Sequence, residues 1–246
     1  MKNLISYALF ASAAFVNIAS AENSIPSSSD SYIYIGTEFG ISDPIVKSFN
    51  HKESNTNIRL KKSHLYGGRI GYSFYPNMMI EFSGTHQPKY RLAYILPGQA
   101  LGGGNSLPEN PGITHVSSNI FSMNLIYELN KITSLAIKPY VIFGAGIAKT
   151  SVKPTSSYYN NIPYFKIQKT SQNSFAWQAG VGVSKNIANN FDIDFAAKMQ
   201  VVNNIKIKYQ TLNLPTMSFN KTETIKKTIG VGEFTVGLIY KFPLNK

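Results

Sequence analysis

The chain has 246 residues, of which 43% are hydrophobic, 13% aromatic and only 15% charged. It contains no cysteine, which excludes disulfides, thiolate metal sites and cysteine nucleophiles. Lys and Arg number 24 against 12 Asp and Glu, a net charge of +12 that favours anionic partners.

Met1-Lys2-Asn3 is a short basic start, followed by an apolar run from Leu4 to Ile18 and small residues at Ala19-Ser20-Ala21. This is the pattern of a secretory signal peptide over 1–21, cut after Ala21. The apolar run is shorter than the ~20 residues a spanning helix needs, so cleavage is expected rather than anchoring. Residues 22–30 read as a flexible mature N-terminus. No later segment is apolar for long enough to cross a membrane as a helix, which leaves a closed β-barrel as the only membrane-spanning solution.

From residue 31 onward, period-two alternation recurs eight times. The predicted strands begin with Tyr32 to Ile41, where Ile33, Ile35, Phe39 and Ile41 oppose Gly36, Glu38 and Gly40. The second is His64 to Tyr75, with Arg69 on the polar face. A turn at Pro76-Asn77 leads into the third, which sets Met78, Ile80 and Phe82 against Glu81, Ser83 and Thr85. The fourth runs from Val116 to Leu129. After a short link over 130–134, the fifth sets Val141, Phe143, Ala145 and Ile147 against Tyr140, Gly144 and Gly146. The sixth carries Phe175, Trp177, Ala179, Val181 and Val183. A turn at Asn186 to Asn190 precedes the seventh, from Phe191 to Val201. The eighth sets Phe234, Val236, Leu238, Tyr240 and Phe242 against Glu233, Thr235, Gly237 and Lys241.

Connections after strands two, four and six are short. Those after one, three, five and seven are long, about residues 42–62, 88–115, 150–172 and 203–227. That rhythm predicts an all-β fold: an eight-stranded antiparallel up-and-down transmembrane β-barrel over 31–242, with a tail over 243–246. The polar faces are rich in Gly, Ser and Thr rather than long charged side chains, as a narrow lumen requires. The apolar faces carry Tyr75, Tyr127, Phe191, Tyr240 and Phe242 near strand ends, where an interfacial girdle would lie. These features favour a lipid-facing apolar surface over a soluble barrel with an apolar interior. The expected location is a Gram-negative outer membrane, with periplasmic termini and extracellular loops.

The terminal stretch Thr235-Val236-Gly237-Leu238-Ile239-Tyr240-Lys241-Phe242 resembles the signal that the outer-membrane assembly machinery reads on a last strand. Residues 138–146 and 175–182 are similar to strands of the opacity-protein and OmpA-like small-barrel superfamily. The Lys- and Asn-rich composition is similar to that of rickettsial surface proteins, including small adhesin barrels. The resemblance implies a membrane fold and location, and assembly-machinery recognition through residues 235–242. It carries no adhesin motif onto individual residues.

Within the expected barrel, Arg69, Glu81, Glu128, Asp192, Asp194, Lys198 and Glu233 form a candidate lumen charge network, with Arg69 and Glu81 placed to pair across the turn. Eight strands leave an interior about filled by side chains, so a plug is expected before an ion path. His51, His64, His86 and His115 have no regular spacing, and no metal site, catalytic constellation or cofactor is expected from them. Gly102-Gly103-Gly104-Asn105 lacks the Lys-Ser/Thr of a phosphate loop and reads as a loop tip.

The basic residues are concentrated in the long loops. Lys61, Lys62, Tyr158, Tyr159, Lys166, Lys169, Lys226 and Lys227 are the candidate ligand-binding residues. Outer-membrane lipid, host surface proteins and anionic glycans are the candidate partners; nucleic acid is not. The function expected is a non-enzymatic surface protein active in adhesion or in host or envelope interaction. A narrow porin-like channel for small solutes is the alternative.

Overall fold

Alternating apolar and polar side chains along a strand give each strand one apolar and one polar face, and within a bilayer such strands are stable only when paired on both edges. The computed structural model describes residues 31–244, apart from 46–47, 51–56, 97–99, 103–104, 107–109, 130–136, 160–161, 214–215 and 217. The signal peptide and flexible N-terminus expected over 1–30, His51 and the 130–134 link lie outside the described residues.

Eight long strands make the body: β1 Tyr32–Pro44, β2 Ser63–Tyr75, β3 Met78–Leu96, β4 Asn110–Glu128, β5 Ile137–Val152, β6 Thr170–Ala188, β7 Phe191–Asn213 and β8 Glu223–Pro243. Each pairs antiparallel with its neighbours in sequence. β8 then pairs with β1, placing Ile35 opposite Tyr240 and Phe39 opposite Val236. The ring is closed and has no free edge. Tight turns fall at Pro76-Asn77 and at Asn189-Asn190. Asn190 has φ 66°, the left-handed conformation that such a turn needs and Asn tolerates. The second turn is shorter than the expected 186–190 because β6 runs on to Ala188, past an irregularity at Asn186.

The apolar face points outward. Phe121 is 64% exposed and Phe39 63%, whereas Glu81, Asp194 and Glu233 are 1–2% exposed. This inverts the burial of a soluble barrel and matches a wall bathed in lipid. Along β7 the exposed side from Phe191 to Val201 alternates without a break with the buried side. At ~3.3 Å per residue and a tilt of ~40°, that stretch spans roughly 25 Å, the height of a transmembrane apolar band. At the turn end, Tyr240 packs edge-on against Phe191 and Phe242, with ring centroids 4.7 and 4.6 Å apart. Tyr75 is 64% exposed at the same end. These side chains form the expected girdle there.

The four long connections are not simple loops, which corrects the boundaries read from sequence. β3, β4, β7 and β8 continue well into them. Short strands extend the wall further: Ser48–Asn50 pairs with Asn57–Leu60, which pairs with β3. Thr155–Tyr159 pairs with Ile162–Ile167, which pairs with β7. Ala100–Gly102 pairs with Asn105–Ser106, so the Gly-rich stretch includes part of a small hairpin. Ser218–Phe219 pairs with the end of β7. Pro243, expected in the tail, still pairs with Tyr32.

Polarity reverses in this upper wall. A bulge between Val202 and Ile205 shifts the register of β7, with Asn204 at φ 54°. Above it Ile205, Ile207 and Tyr209 are buried, while Lys206 and Lys208 are exposed. Ile225 and Ile229 of β8 join Val116, Val152, Phe165 and Ile167 in one buried cluster. The loop end is therefore built like a soluble barrel, apolar inside and basic outside, and stands on a membrane barrel of opposite polarity.

Candidate functional site: the lumen network and the basic rim

The lumen is filled by long polar side chains lying on glycines. Tyr34 stands directly opposite Gly71, and Tyr140 directly opposite Gly182. A Cβ at Gly71 would lie 2.2 Å from the Tyr34 ring, and one at Gly182 would lie 2.2 Å from the Tyr140 ring. The same arrangement sets Asn124 on Gly144, Arg69 on Gly36 and Lys198 on Gly180. Inner-face glycine thus supplies volume for a large neighbour on the next strand.

Two linked groups of charge occupy the middle of the barrel. In the first, Arg69 Nη2 donates to Asp194 Oδ1 at 2.6 Å, and Nη1 lies 3.8 Å from Glu81 Oε2. The hydroxyl of Tyr140 donates to Asp194 at 2.6 Å, and that of Tyr34 donates to Glu81 at 2.9 Å. Asn124 donates to the other Glu81 oxygen at 2.9 Å and accepts from Gln178 at 2.6 Å. The expected Arg69–Glu81 contact across the turn is present, but the shorter bond goes to the far wall.

In the second group, Lys198 Nζ donates to Glu38 Oε2 at 2.8 Å and lies 3.9 Å from Glu233 Oε2. Thr85 donates to Glu38 at 2.8 Å, and Gln87 to Glu233 at 2.5 Å. Tyr90 donates to Gln87 at 2.9 Å and its hydroxyl also meets Ser42. Two buried cations therefore face four buried carboxylates. Glu233 Oε2 makes no hydrogen bond, nor does Arg69 Nε or Thr235 Oγ1.

The remaining expected members lie at the turn end. Asp192 is buried there and binds Lys241, Ser184 and Asn186. Glu128 is half-buried, sits 4.0 Å from Lys138 and lines the same small space as Arg69, Glu81, Asp192 and Asp194. Glu38 and Lys241 were legible as polar-face residues, yet their part in the network was missed. Tyr34, Tyr140, Asn124 and Gln178 carried no charge to draw attention. About 20 Å³ of free space remains beside Tyr34, Arg69, Glu81, Asp192 and Asp194, room for about one water.

The candidate rim residues do not gather at one place. Lys61 and Lys62 are exposed beside β2, with Lys62 3.4 Å from Asp43. Tyr158 is 58% exposed in the Thr155–Tyr159 strand; the side chain of Tyr159 lies outside the described ones. Lys166 lies over the Phe219 ring at 4.1 Å, and Lys169 is exposed. Lys226 faces outward on β8, whereas Lys227 is only partly exposed. Of the histidines, His64 is exposed and His86 shares a 2.5 Å hydrogen bond with Asn119. Among the described residues no three His, Asp or Glu side chains converge as metal ligands.

An outward apolar band, a charged lumen and a closed ring together define an outer-membrane barrel, and the comparisons agree. The family model described as outer membrane protein beta-barrel domain matches residues 8–242. The chain belongs to that family. The family places the barrel in the Gram-negative outer membrane. An uncharacterized protein of Rickettsia prowazekii (strain Madrid E) is 44% identical over 181 residues, covering 73% of this chain and 99% of the relative. Among solved structures, the barrel is similar to the outer membrane protein OprG of Pseudomonas aeruginosa, with a TM-score of 0.54 at 17% identity over 88% of this chain and 97% of the other. That likeness concerns the fold alone. Neisserial surface protein A matches with a TM-score of 0.47 at 14% identity, over 87% and 98% of the two chains.

Proposed function

We propose that the barrel is a non-enzymatic surface anchor that presents a basic loop end outside the cell, with both termini in the periplasm, for adhesion or contact with an anionic host or envelope partner. The observation that carries this reading is the filled lumen. Arg69 is paired with Asp194 and Lys198 with Glu38, about 20 Å³ of free space remains beside Arg69, Glu81 and Asp194, and a buried apolar cluster lies above. A lumen so filled offers solutes no path, which weighs against the narrow-channel alternative. Reactive chemistry is then available chiefly at the loop end, where Lys61, Lys62, Tyr158 and Lys169 are exposed.

Binding of whole cells displaying the protein to surfaces coated with sulfated glycan tests this directly. Lys61→Glu, Lys62→Glu and Lys169→Glu together are expected to reduce binding severalfold, since each removes a long-range attraction and adds a repulsion. Unchanged binding would contradict the reading. An antibody to residues 153–169 is expected to label intact cells; labelling only after the outer membrane is opened would reverse the orientation.

A further inference from the structure

Lys206 of β7 and Lys226 of β8 are direct cross-strand partners on the outer surface of the barrel. Both are exposed, as is Lys208 on the same face of β7. Like charges placed directly opposite in an antiparallel pair repel and destabilise it. Nothing among the described residues offsets that repulsion: none of the three lysines has an ion pair or a side-chain hydrogen bond there. Glu223, the carboxylate at this end of β8, is opposite Tyr209 and is held by its hydroxyl.

The height of the lysines identifies what fits between them. Val201 and Gly230 are paired at the upper edge of the lipid-facing band. Lys206 follows Val201 across the bulge, roughly 10 Å higher at ~3.3 Å per residue and a tilt of ~40°. Lipid headgroups extend roughly 5–8 Å beyond the hydrocarbon core. Lysine stems can lie along an apolar wall and deliver the ammonium toward that layer. The three side chains project sideways over the membrane, where a soluble macromolecule would meet the bilayer first.

We propose that Lys206, Lys208 and Lys226 form a binding site for the phosphate of an anionic lipid headgroup in the leaflet at the loop end. The bound phosphate bridges the Lys206–Lys226 pair and cancels its repulsion. This site takes Lys226 from the candidate rim residues but shares none with Lys61, Lys62, Tyr158 and Lys169, which the proposed function assigns to an external partner, so either can fail without the other.

The test uses the full mature chain refolded in phosphatidylcholine nanodiscs doped with phosphorylated lipid A, followed by detergent extraction and measurement of lipid A retained per barrel. Lys206→Gln, Lys208→Gln and Lys226→Gln together are expected to lower retention about tenfold or more, in line with the contribution of each lysine near an anionic surface. Lys61→Gln with Lys62→Gln is expected to leave it unchanged. Equal retention by the triple variant and the native chain would overturn the site. So would an equal loss in the Lys61/Lys62 variant, or loss of soluble heparin binding with lipid retention intact. If the triple variant does not fold, Lys206→Gln alone decides: native-level retention by that folded variant also overturns the site, and a severalfold loss supports it.

Discussion

Arg69 and Asp194, 125 positions apart in sequence, meet at 2.6 Å in the centre of the barrel, with both side chains at most 5% exposed. The bond ties β2 to β7 across the lumen, between strands that are not neighbours in the ring. Removing one partner of a buried pair leaves an uncompensated charge, which costs about 3–5 kcal/mol. Arg69→Ala is therefore expected to lower the urea midpoint of the refolded barrel strongly. Asp194→Asn, which keeps the shape and much of the hydrogen bonding, should cost less. Matching midpoints for Arg69→Ala and the native chain would remove the network from the stability account.

Glu233 behaves oppositely. It shares Lys198 with Glu38, so two carboxylates face one cation, and its Oε2 has no hydrogen-bond partner. Glu233→Gln removes surplus negative charge and retains the oxygen that accepts from Gln87. Stability should be unchanged or higher in the same urea titration. Glu38→Gln should be destabilising, because Glu38 holds the 2.8 Å bond to Lys198. A larger loss for Glu233→Gln than for Glu38→Gln would contradict this distinction.

The pairing of Tyr34 with Gly71 makes a volume argument testable. Gly71→Ala should destabilise by roughly 1–3 kcal/mol through overpacking against the ring. Tyr34→Ala on the Gly71→Ala background should recover part of that loss, since the clash is gone. A double-mutant cycle with no coupling between the two sites would show that the glycine serves another purpose.

The polarity reversal sets the membrane boundary. Met123 is 56% exposed within the lipid-facing band of β4, whereas Asn119, four residues nearer the loop end, is exposed at the level of His86 and Lys149. Met123→Arg is expected to cost about 2–4 kcal/mol in lipid vesicles, and Asn119→Arg about 0–1 kcal/mol. Equal costs would mean that the bilayer does not end where the wall changes character.

The strands were legible wherever apolar and small polar residues alternate, because that pattern has one reading in a lipid-facing wall. β7 is the clearest case: its membrane stretch from Phe191 to Val201 is legible in the alternation, and its continuation to Asn213 resembles a loop in sequence. Ile205, Lys206, Ile207, Lys208 and Tyr209 also alternate. The bulge at Asn203-Asn204 swaps the faces, however, and the lysines make the segment look like solvated connection. The inner charges were legible one by one from their faces. Their partners were not, since Arg69–Asp194 and Lys198–Glu38 join strands that are not neighbours, and only the closed ring brings them together. Tyr34 and Tyr140 were missed because their role depends on a glycine of the adjacent strand, a relationship set by register.

Conductance of the purified, refolded barrel across a planar lipid bilayer tests the central claim most directly, namely that the lumen is sealed and the loop end carries the function. With Arg69, Lys198 and their carboxylates in place, no stable channel steps are expected, and Arg69→Ala should at most add brief flickers. Stable unitary conductance in the native protein would contradict the sealed lumen and return the barrel to the class of narrow channels.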